Sequence, residues 1–218
     1  MDTLLIRLVA PLQSWGVQSR FGVRDTGREP SKSGVIGLLC AALGRPRSEP
    51  LNDLAELRMG VRVDCEGLLS MDYHIAQNVY RAGANGTKDS EVSRRYYLMD
   101  AVFLVGLEGS YSLLQNLHEA LQHPVWMLSL GRKAFVPSQT IWLTDGLRVG
   151  EPLENALAAY PTIGPPSKRA ERLRVVLDDL HGEQSRSDVP LSFAERDFIS
   201  RRVHITFIPT PNEIIKEV

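Results

Sequence analysis

The chain has 218 residues, of which 43% are hydrophobic and 23% are charged, and its formal net charge is −1. These values exclude a disordered or fibrous chain and predict a globular protein, built as one large domain or two small ones. No apolar run reaches the roughly 18 residues that span a bilayer, and no charged-then-apolar leader starts the sequence, so we expect a cytoplasmic protein.

The first predicted elements are a strand and a long basic loop. Residues 3–9 alternate in polarity, with Leu4, Ile6 and Leu8 on one face of the strand. The loop that follows contains QSWGVQSRFGVRDTGREPSKSG, and the segment from Arg7 to Arg47 carries seven basic and two acidic side chains, a balance of +5. Such a segment in a neutral protein is typical of a subunit that binds a polyanion on one face, with scattered solvated charge as the alternative.

A helix is predicted next, with the apolar body VIGLLCAALG and Ser33 as its cap. Free N–H groups at a helix start attract phosphate, so Ser31, Lys32 and Ser33 are candidate anion contacts. Gly34 and Gly37 would allow a phosphate backbone to approach closely. The alternative interpretation is a capped helix beneath a solvated loop.

The middle of the chain predicts strands, a long polar connection and a second helix. LNDLAELRMGVRVDCEG gives a helical turn and a strand, and LLSMDYHIA gives a second strand. The connection QNVYRAGANGTKDSEVSRR is too long for a tight turn, and long structureless loops inside compact domains are usually functional. YYLMDAVFLVGLEG is a strand, SYSLLQNLHEALQ is an amphipathic helix, and WMLSLGRKAFVPSQTIWL is predicted to form strand, basic turn and strand.

The order β, α, β, β, α, β over residues 3–143 predicts an α+β fold with a ferredoxin-like, RNA-recognition-type domain at residues 1–143. Residues 144–218 predict a smaller, mostly β C-terminal extension, with a short helix near 153–159 and strands in RLRVVLDD and VHITFI. The sequence allows this region to be either a second domain or an addition to the first.

Cysteine and histidine spacing gives no sign of a metal site. Cys40 and Cys65 lie in apolar segments without CxxC spacing, which favours buried thiols over ligands or a disulfide. His118 and His123 are five residues apart on a predicted helix and so point in different directions. We therefore expect no metal and no cofactor.

Several motifs together resemble one family. LLIRLVAPLQSWG, SRFGVRDTGREPSKSGVIGLLCAALGR, DYHIA, RRYYLMDAVFLVGL and LGRKAFVPS are similar to the CasD family, the crRNA 5′-handle-binding subunits of the type I-E CRISPR complex Cascade. The resemblance runs from Leu4 to about Leu143 and returns in PLSFAERDFISRRV. It implies a repeat-associated RNA-binding fold with a projecting β-hairpin thumb, at about residues 77–95, whose ANGTKDSEV segment is particular to this sequence.

The resemblance also implies a function: a non-catalytic subunit that binds and caps the 5′ handle of crRNA. Its implied partners are the backbone and large subunits of the complex and, through the complex, target DNA in antiviral defence, with no membrane partner. The basic segments and the family motifs together give the candidate RNA-binding residues Gln13, Ser14, Trp15, Gln18, Arg20, Arg24, Thr26, Ser31, Lys32, Ser33, Tyr73, His74, Arg94, Arg95, Tyr97, Gly131, Arg132 and Lys133.

Three of these assignments have structural alternatives. Trp15 is either a platform for base stacking or a core anchor, and tryptophan is more often the latter. Tyr96 and Tyr97 alternate along a strand, so only one of them can face solvent beside the arginines. Arg132 and Lys133 are either phosphate contacts or the solvated tip of a tight turn.

The rival function is a metal-independent endoribonuclease that processes CRISPR repeat RNA. Such cleavage needs a base for the 2′-OH and an acid or cation for the leaving oxygen, and Tyr73, His74 and Lys88 are the available groups. A lone histidine beside a strand tyrosine is more often structural. In the family resembled here a separate subunit cuts the RNA, which favours binding without chemistry.

Overall fold

The computed structural model describes residues 1–16, 22–81, 86–168 and 170–211. This part of the chain is a mixed α/β structure with mostly antiparallel sheets. Its helices are α1 (Lys32–Leu43), α2 (Asn52–Ala55), α3 (Tyr111–Gln122) and α4 (Leu153–Ala159), with a 3-10 turn at Pro166–Lys168. Its strands are β1 (Asp2–Val9), β2 (Leu12–Gln13), β3 (Val23–Arg24), β4 (Arg58–Cys65), β5 (Leu68–Tyr80), β6 (Thr87–Met99), β7 (Val102–Gly109), β8 (Leu147–Arg148), β9 (Arg172–Asp178), β10 (Gln184–Ser192) and β11 (Asp197–Pro209).

The main sheet contains strands from both ends of the chain, in the order β10-β11-β9-β4-β7-β1-β8. All of its pairings are antiparallel. Strand β9 pairs directly with β4, so residues 172–209 extend the same sheet that residues 2–109 begin. No helix in the described residues has the length and apolarity needed to cross a membrane.

The core lies on both faces of this sheet. On one face Leu4, Ile6 and Leu8 pack with buried residues of α1 and α3, as the alternation in the first strand predicts. The other face is covered by α4, whose residues share a cluster with Leu5. Gly60 and Gly106 are cross-strand partners beneath α4, and a Cβ at Gly106 would lie 2.5 Å from Cδ1 of Leu153. The absence of side chains there lets the helix sit close to the sheet.

The second sheet is built on a long hairpin. Strands β5 and β6 have 13 residues each and pair from Leu68–Met99 at the base to Tyr80–Thr87 near the tip. Near the base, the other edge of β6 pairs with β2 and, in parallel, with β3. The polar segment that the sequence marks as a long connection is therefore largely paired strand.

The prediction of strand, turn and strand over WMLSLGRKAFVPSQTIWL is wrong, since residues 126–143 adopt no regular strand. Gly131 has a positive φ of 94°, and Pro137 lacks the N–H group that a regular ladder needs. The segment follows β1 through isolated backbone bonds, such as Arg7 N–H to the Ile141 carbonyl oxygen at 2.9 Å. The sequence also gave no sign of β10.

A buried charge network ties the C-terminal strands to the start of α1. The Asp188 carboxylate on β10 accepts hydrogen bonds from Nε and Nη2 of Arg201, at 2.7 and 3.0 Å. It also accepts one from the Lys32 backbone N–H at 2.8 Å. Asp178 on β9 pairs with Arg201 and with Nζ of Lys32. Burial lowers the pKa of Arg201, but the hydrogen bonds and charges of the two carboxylates outweigh it and raise that pKa overall.

We expect Asp188→Ala to destabilise the fold by about 3–5 kcal/mol, because it removes one of the two carboxylates that neutralise the buried Arg201 and leaves the Lys32 N–H without its acceptor. Chemical denaturation followed by circular dichroism would measure this difference. Glu183→Ala is the matched control, since that carboxylate is 79% exposed and lies 3.8 Å from His204. Equal stability of the two variants would contradict the structural role of the network.

Candidate nucleic-acid interface

A cleft of about 550 Å³ opens between the loop after β2, the start of α1, strand β6 and the β10–β11 hairpin. Among the described residues, its charged side chains are four arginines and Asp25. The described residues that line it are Ser14, Trp15, Gly16, Arg24, Asp25, Ser31, Ser33, Gly34, Arg47, Arg95, Gly131, Arg132, Phe193 and Phe198. The cleft thus combines an excess of positive charge with exposed aromatic surface.

The pairing of strands brings the arginines together. Arg24 on β3 is the register partner of Arg95 on β6, so the two side chains leave the same face of the sheet. Arg132 lies close to both: its pKa is lowered first by burial and then by repulsion from Arg95 and Arg24, while the carboxylate of Asp72 opposes part of this shift. A cluster of like charges that lowers a pKa in this way is a ready binding site for an anion.

The loop that carries Arg132 fits tightly against the chain. Gly131 takes a left-handed φ of 94°, and a Cβ there would lie 1.8 Å from the carbonyl oxygen of Ser14. The guanidinium of Arg132 donates a hydrogen bond to the Tyr96 carbonyl oxygen at 2.7 Å and lies 5.2 Å from the ring centroid of Phe135. One edge of this guanidinium is therefore fixed in place, while Lys133 beside it is exposed.

The start of α1 differs from the predicted phosphate site. The cap is Ser31 rather than Ser33, because the Ser31 Oγ accepts the hydrogen bond from Gly34 N–H at 3.3 Å. Lys32 is 5% exposed, with its Nζ 3.1 Å from Asp178 and its backbone N–H bonded to Asp188. The negative charge that a helix start attracts is thus supplied by the protein itself. Lys32 is held inside the protein rather than presented to a ligand.

Gly34 makes room for one of the protein's own rings. A Cβ at Gly34 would lie 2.8 Å from Cε3 of Trp15, whereas a Cβ at Gly37 would lie 3.6 Å from Cζ of Phe193, an ordinary van der Waals distance. The lack of a side chain at Gly34 therefore serves packing against Trp15, and Gly37 has no such requirement.

Trp15 is a core anchor rather than a platform for base stacking, because its side chain is only 1% exposed. Its Nε1 donates to the Gln13 side-chain oxygen at 3.2 Å, and its backbone N–H donates to Oγ1 of Thr26 at 2.9 Å. The amide nitrogen of Gln13 in turn donates to the carbonyl oxygen of Ala101 at 2.7 Å. The side chains of Gln13 and Trp15 are buried in internal hydrogen bonds and do not face a ligand. Thr26 holds the loop through its hydrogen bond to the Trp15 backbone.

The hairpin divides its candidate residues between two faces. Tyr73 and Arg94 are register partners on the face away from the cleft. His74, Arg95 and Tyr97 share the other face, where the Tyr97 ring lies 6.0 Å from that of Phe135. Of the remaining candidates, Ser14 lines the cleft, whereas Gln18 and Arg20 fall outside the described residues.

Arg47, Phe193 and Phe198 are among the cleft residues that the sequence prediction missed. Arg47 follows α1, and the two phenylalanines flank the turn between β10 and β11, far along the chain from the basic loop. The motif PLSFAERDFISRRV was available as a signal, because it shares the family resemblance and places two aromatics beside basic residues.

The cysteines are free and buried, as predicted, and burial raises the pKa of Cys40 to about 11. Within the described residues, no group of three or more histidine, cysteine or acidic side chains is arranged to hold a metal ion.

Comparison with known proteins identifies the family. The model of the family described as CRISPR-associated protein (Cas_Cas5) matches residues 3–204. The CRISPR system Cascade subunit CasD of Escherichia coli (strain K12) is 30% identical over 211 residues, covering 89% of this chain and 87% of that relative.

Two solved structures share the fold over nearly the whole chain. One, described as a crystal structure of a Cas protein, has a TM-score of 0.80 at 45% identity and covers 97% of this chain and 98% of its own. Another, from a CRISPR RNA-guided surveillance complex, has a TM-score of 0.80 at 32% identity, and the match covers 96% of this chain and 91% of that one. The chain belongs to the CRISPR-associated Cas5 family.

Proposed function

We propose that this protein is a crRNA-binding subunit of a CRISPR surveillance complex, and that its cleft holds and caps the 5′ handle of the crRNA in the cytoplasm. The observation that carries this proposal is the cluster of Arg24, Arg95 and Arg132 in one cleft that also presents the exposed ring of Phe198. The similarity to a Cascade subunit and to a chain of an RNA-guided surveillance complex supports it.

The chemistry of the cleft suits single-stranded RNA. Guanidinium groups bind phosphate oxygens through two parallel hydrogen bonds, and they also stack on bases. Single strands expose base faces that aromatic side chains can contact, which paired strands do not. A handle of constant sequence suits a cleft whose arginines and rings are held by fixed elements.

The strand order supports a ferredoxin-like core. Strands β4, β7, β1 and β8 lie side by side in that order, and α1 and α3 cover one face. This arrangement is the one expected for a βαββαβ unit of RNA-recognition type. We place its last strand at Leu147–Arg148, so the proposed boundary lies a few residues beyond 143. We regard residues 172–209 as an extension of the sheet.

The hairpin of β5 and β6 is the proposed thumb, and we assign its outer face to neighbouring protein subunits. Met71, Tyr73, Ile75 and Val92 are exposed on the face away from the arginine cluster, although they are apolar or aromatic. Exposed apolar patches on soluble proteins commonly mark interaction sites. The backbone and large subunits of the complex are the partners we propose.

We propose that the protein lacks nuclease activity. The groups available for acid–base cleavage do not converge: Tyr73 and His74 are consecutive on a strand and so point to opposite faces. Lys88 pairs with Glu91 at 2.5 Å, opposite Val79, five residues from His74 along β5. Binding therefore explains this surface better than catalysis does.

Repeat RNA incubated with the purified protein should remain intact, with or without divalent cations, because Tyr73, His74 and Lys88 do not converge on one site. Denaturing electrophoresis of end-labelled RNA would measure cleavage. Cutting at one site that is lost in His74→Ala would favour the endoribonuclease instead.

Arg24→Ala and Arg95→Ala should each weaken binding of handle RNA, since each removes a phosphate contact. Each substitution should also reduce the slope of log affinity against log salt by about 0.7 for a single strand. Fluorescence anisotropy at several salt concentrations would measure both effects. Arg172→Ala, on β9 and outside the cleft, is the matched control. Slopes that are equal in all variants would contradict the electrostatic role of the cleft.

Shortening the hairpin should spare the fold and impair assembly. Gln77 and Ser90 are register partners, so residues 78–89 can be replaced by Asn-Gly, which closes an antiparallel pair in a two-residue turn. Thermal unfolding of the isolated chain should change little, because the described residues of the removed segment, 78–81 and 86–89, are largely exposed. Target DNA binding by the reconstituted complex should fall.

Loss of folding in the shortened variant would mean that the hairpin tip is part of the core. Normal stability together with normal DNA binding would mean that the outer hairpin has no role in assembly.

A further inference from the structure

We infer that Phe193 and Phe198 form the base-stacking wall of the cleft, and that the RNA places a nucleobase on Phe198 while its phosphates meet the arginines. This inference rests on the proposed function of the same cleft. Both rings line it, with centroids 6.5 Å apart and planes at 63°. The base-stacking role considered for Trp15 is thereby assigned to the β10–β11 hairpin.

The two rings differ in how tightly they are held. Phe193 is partly buried and packs over α1 at Gly37. Phe198 is 40% exposed, although it lies on a paired strand opposite Pro190. An edge-to-face pair of this kind leaves the face of one ring available. Phe193 therefore supports the ring of Phe198, and Phe198 is the one able to receive a base.

Phosphate-binding and base-binding groups come from different elements around the cleft. Arg24 and Arg95 are neighbours on β3 and β6, with Arg132 beside them, whereas the phenylalanines stand on the β10–β11 hairpin. A single strand carries its charge on one side and its bases on the other. This separation of arginines from rings fits a strand lying with its backbone along the first group and a base turned toward the second.

The hairpin that carries the rings is held rigidly. Asp188 on β10 and Arg201 on β11 are bonded to each other across the hairpin, and Asp188 is bonded to the start of α1. At the turn, Ser192 Oγ accepts a hydrogen bond from Glu195 N–H at 3.1 Å. A platform fixed before the ligand arrives loses little conformational entropy on binding.

The test uses the full-length chain and handle RNA in which 2-aminopurine replaces one base at a time. Stacking quenches 2-aminopurine, so wild-type protein should quench at least one position. Phe198→Leu should restore that fluorescence and weaken binding roughly 5- to 100-fold. The salt slope should stay unchanged, because the arginines are intact. Phe198→Trp should keep both the quenching and the affinity.

Phe207→Leu is the matched control, because Phe207 is also exposed, at 50%, and lies on the same strand outside the cleft. The inference is overturned if wild-type protein binds with the expected salt dependence but quenches no position, or if Phe198→Leu binds and quenches like wild type. The proposed function itself fails if wild-type protein shows no salt-dependent binding. The two failures are thus distinguishable.

Discussion

The structure depends on the buried contact between Asp188, Arg201, Asp178 and Lys32. Each charge would be costly to bury alone, so the four groups must be brought together for the fold to be stable. These ion pairs and hydrogen bonds join three strands of the C-terminal region, β9, β10 and β11, to the first turn of α1, more than 140 residues earlier in the chain. The cleft lies between these two parts, so its shape is set by this contact.

The same contact limits which groups are available for the polyanion binding proposed above. The Lys32 N–H at the start of α1 is already occupied by a carboxylate, which leaves the positive charge to side chains on β3, on β6 and in the loop around Gly131. Side-chain guanidiniums reach farther than backbone N–H groups and can meet several phosphates of a curved strand. The cleft is thus suited to a length of RNA more than to a single phosphate.

The sequence correctly predicted the elements in which apolar residues recur at a clear strand or helix period. The alternation in β1, the amphipathic period of α3 and the short helix α4 were all predicted at their places. The basic loop and the LGRKAF turn, which were predicted to supply phosphate contacts, contribute Arg24 and Arg132 to the cleft. The partners of Lys32 could not be predicted, because Asp178 and Asp188 are distant in sequence and ordinary in their local context. The strand β10 was also missed, because it is polar at its start and contains a proline.

The register of β3 with β6 places Arg24 beside Arg95, with Arg132 near both. Asp72, the register partner of Arg95 across the hairpin, offsets part of this positive charge, and the remaining repulsion between the arginines opposes folding. A polyanion bound there would relieve that repulsion and stabilise the folded chain by an amount that rises with the logarithm of its affinity. On the function proposed above, the RNA is a counterion of the fold, and the chain without it is the less stable form of the protein.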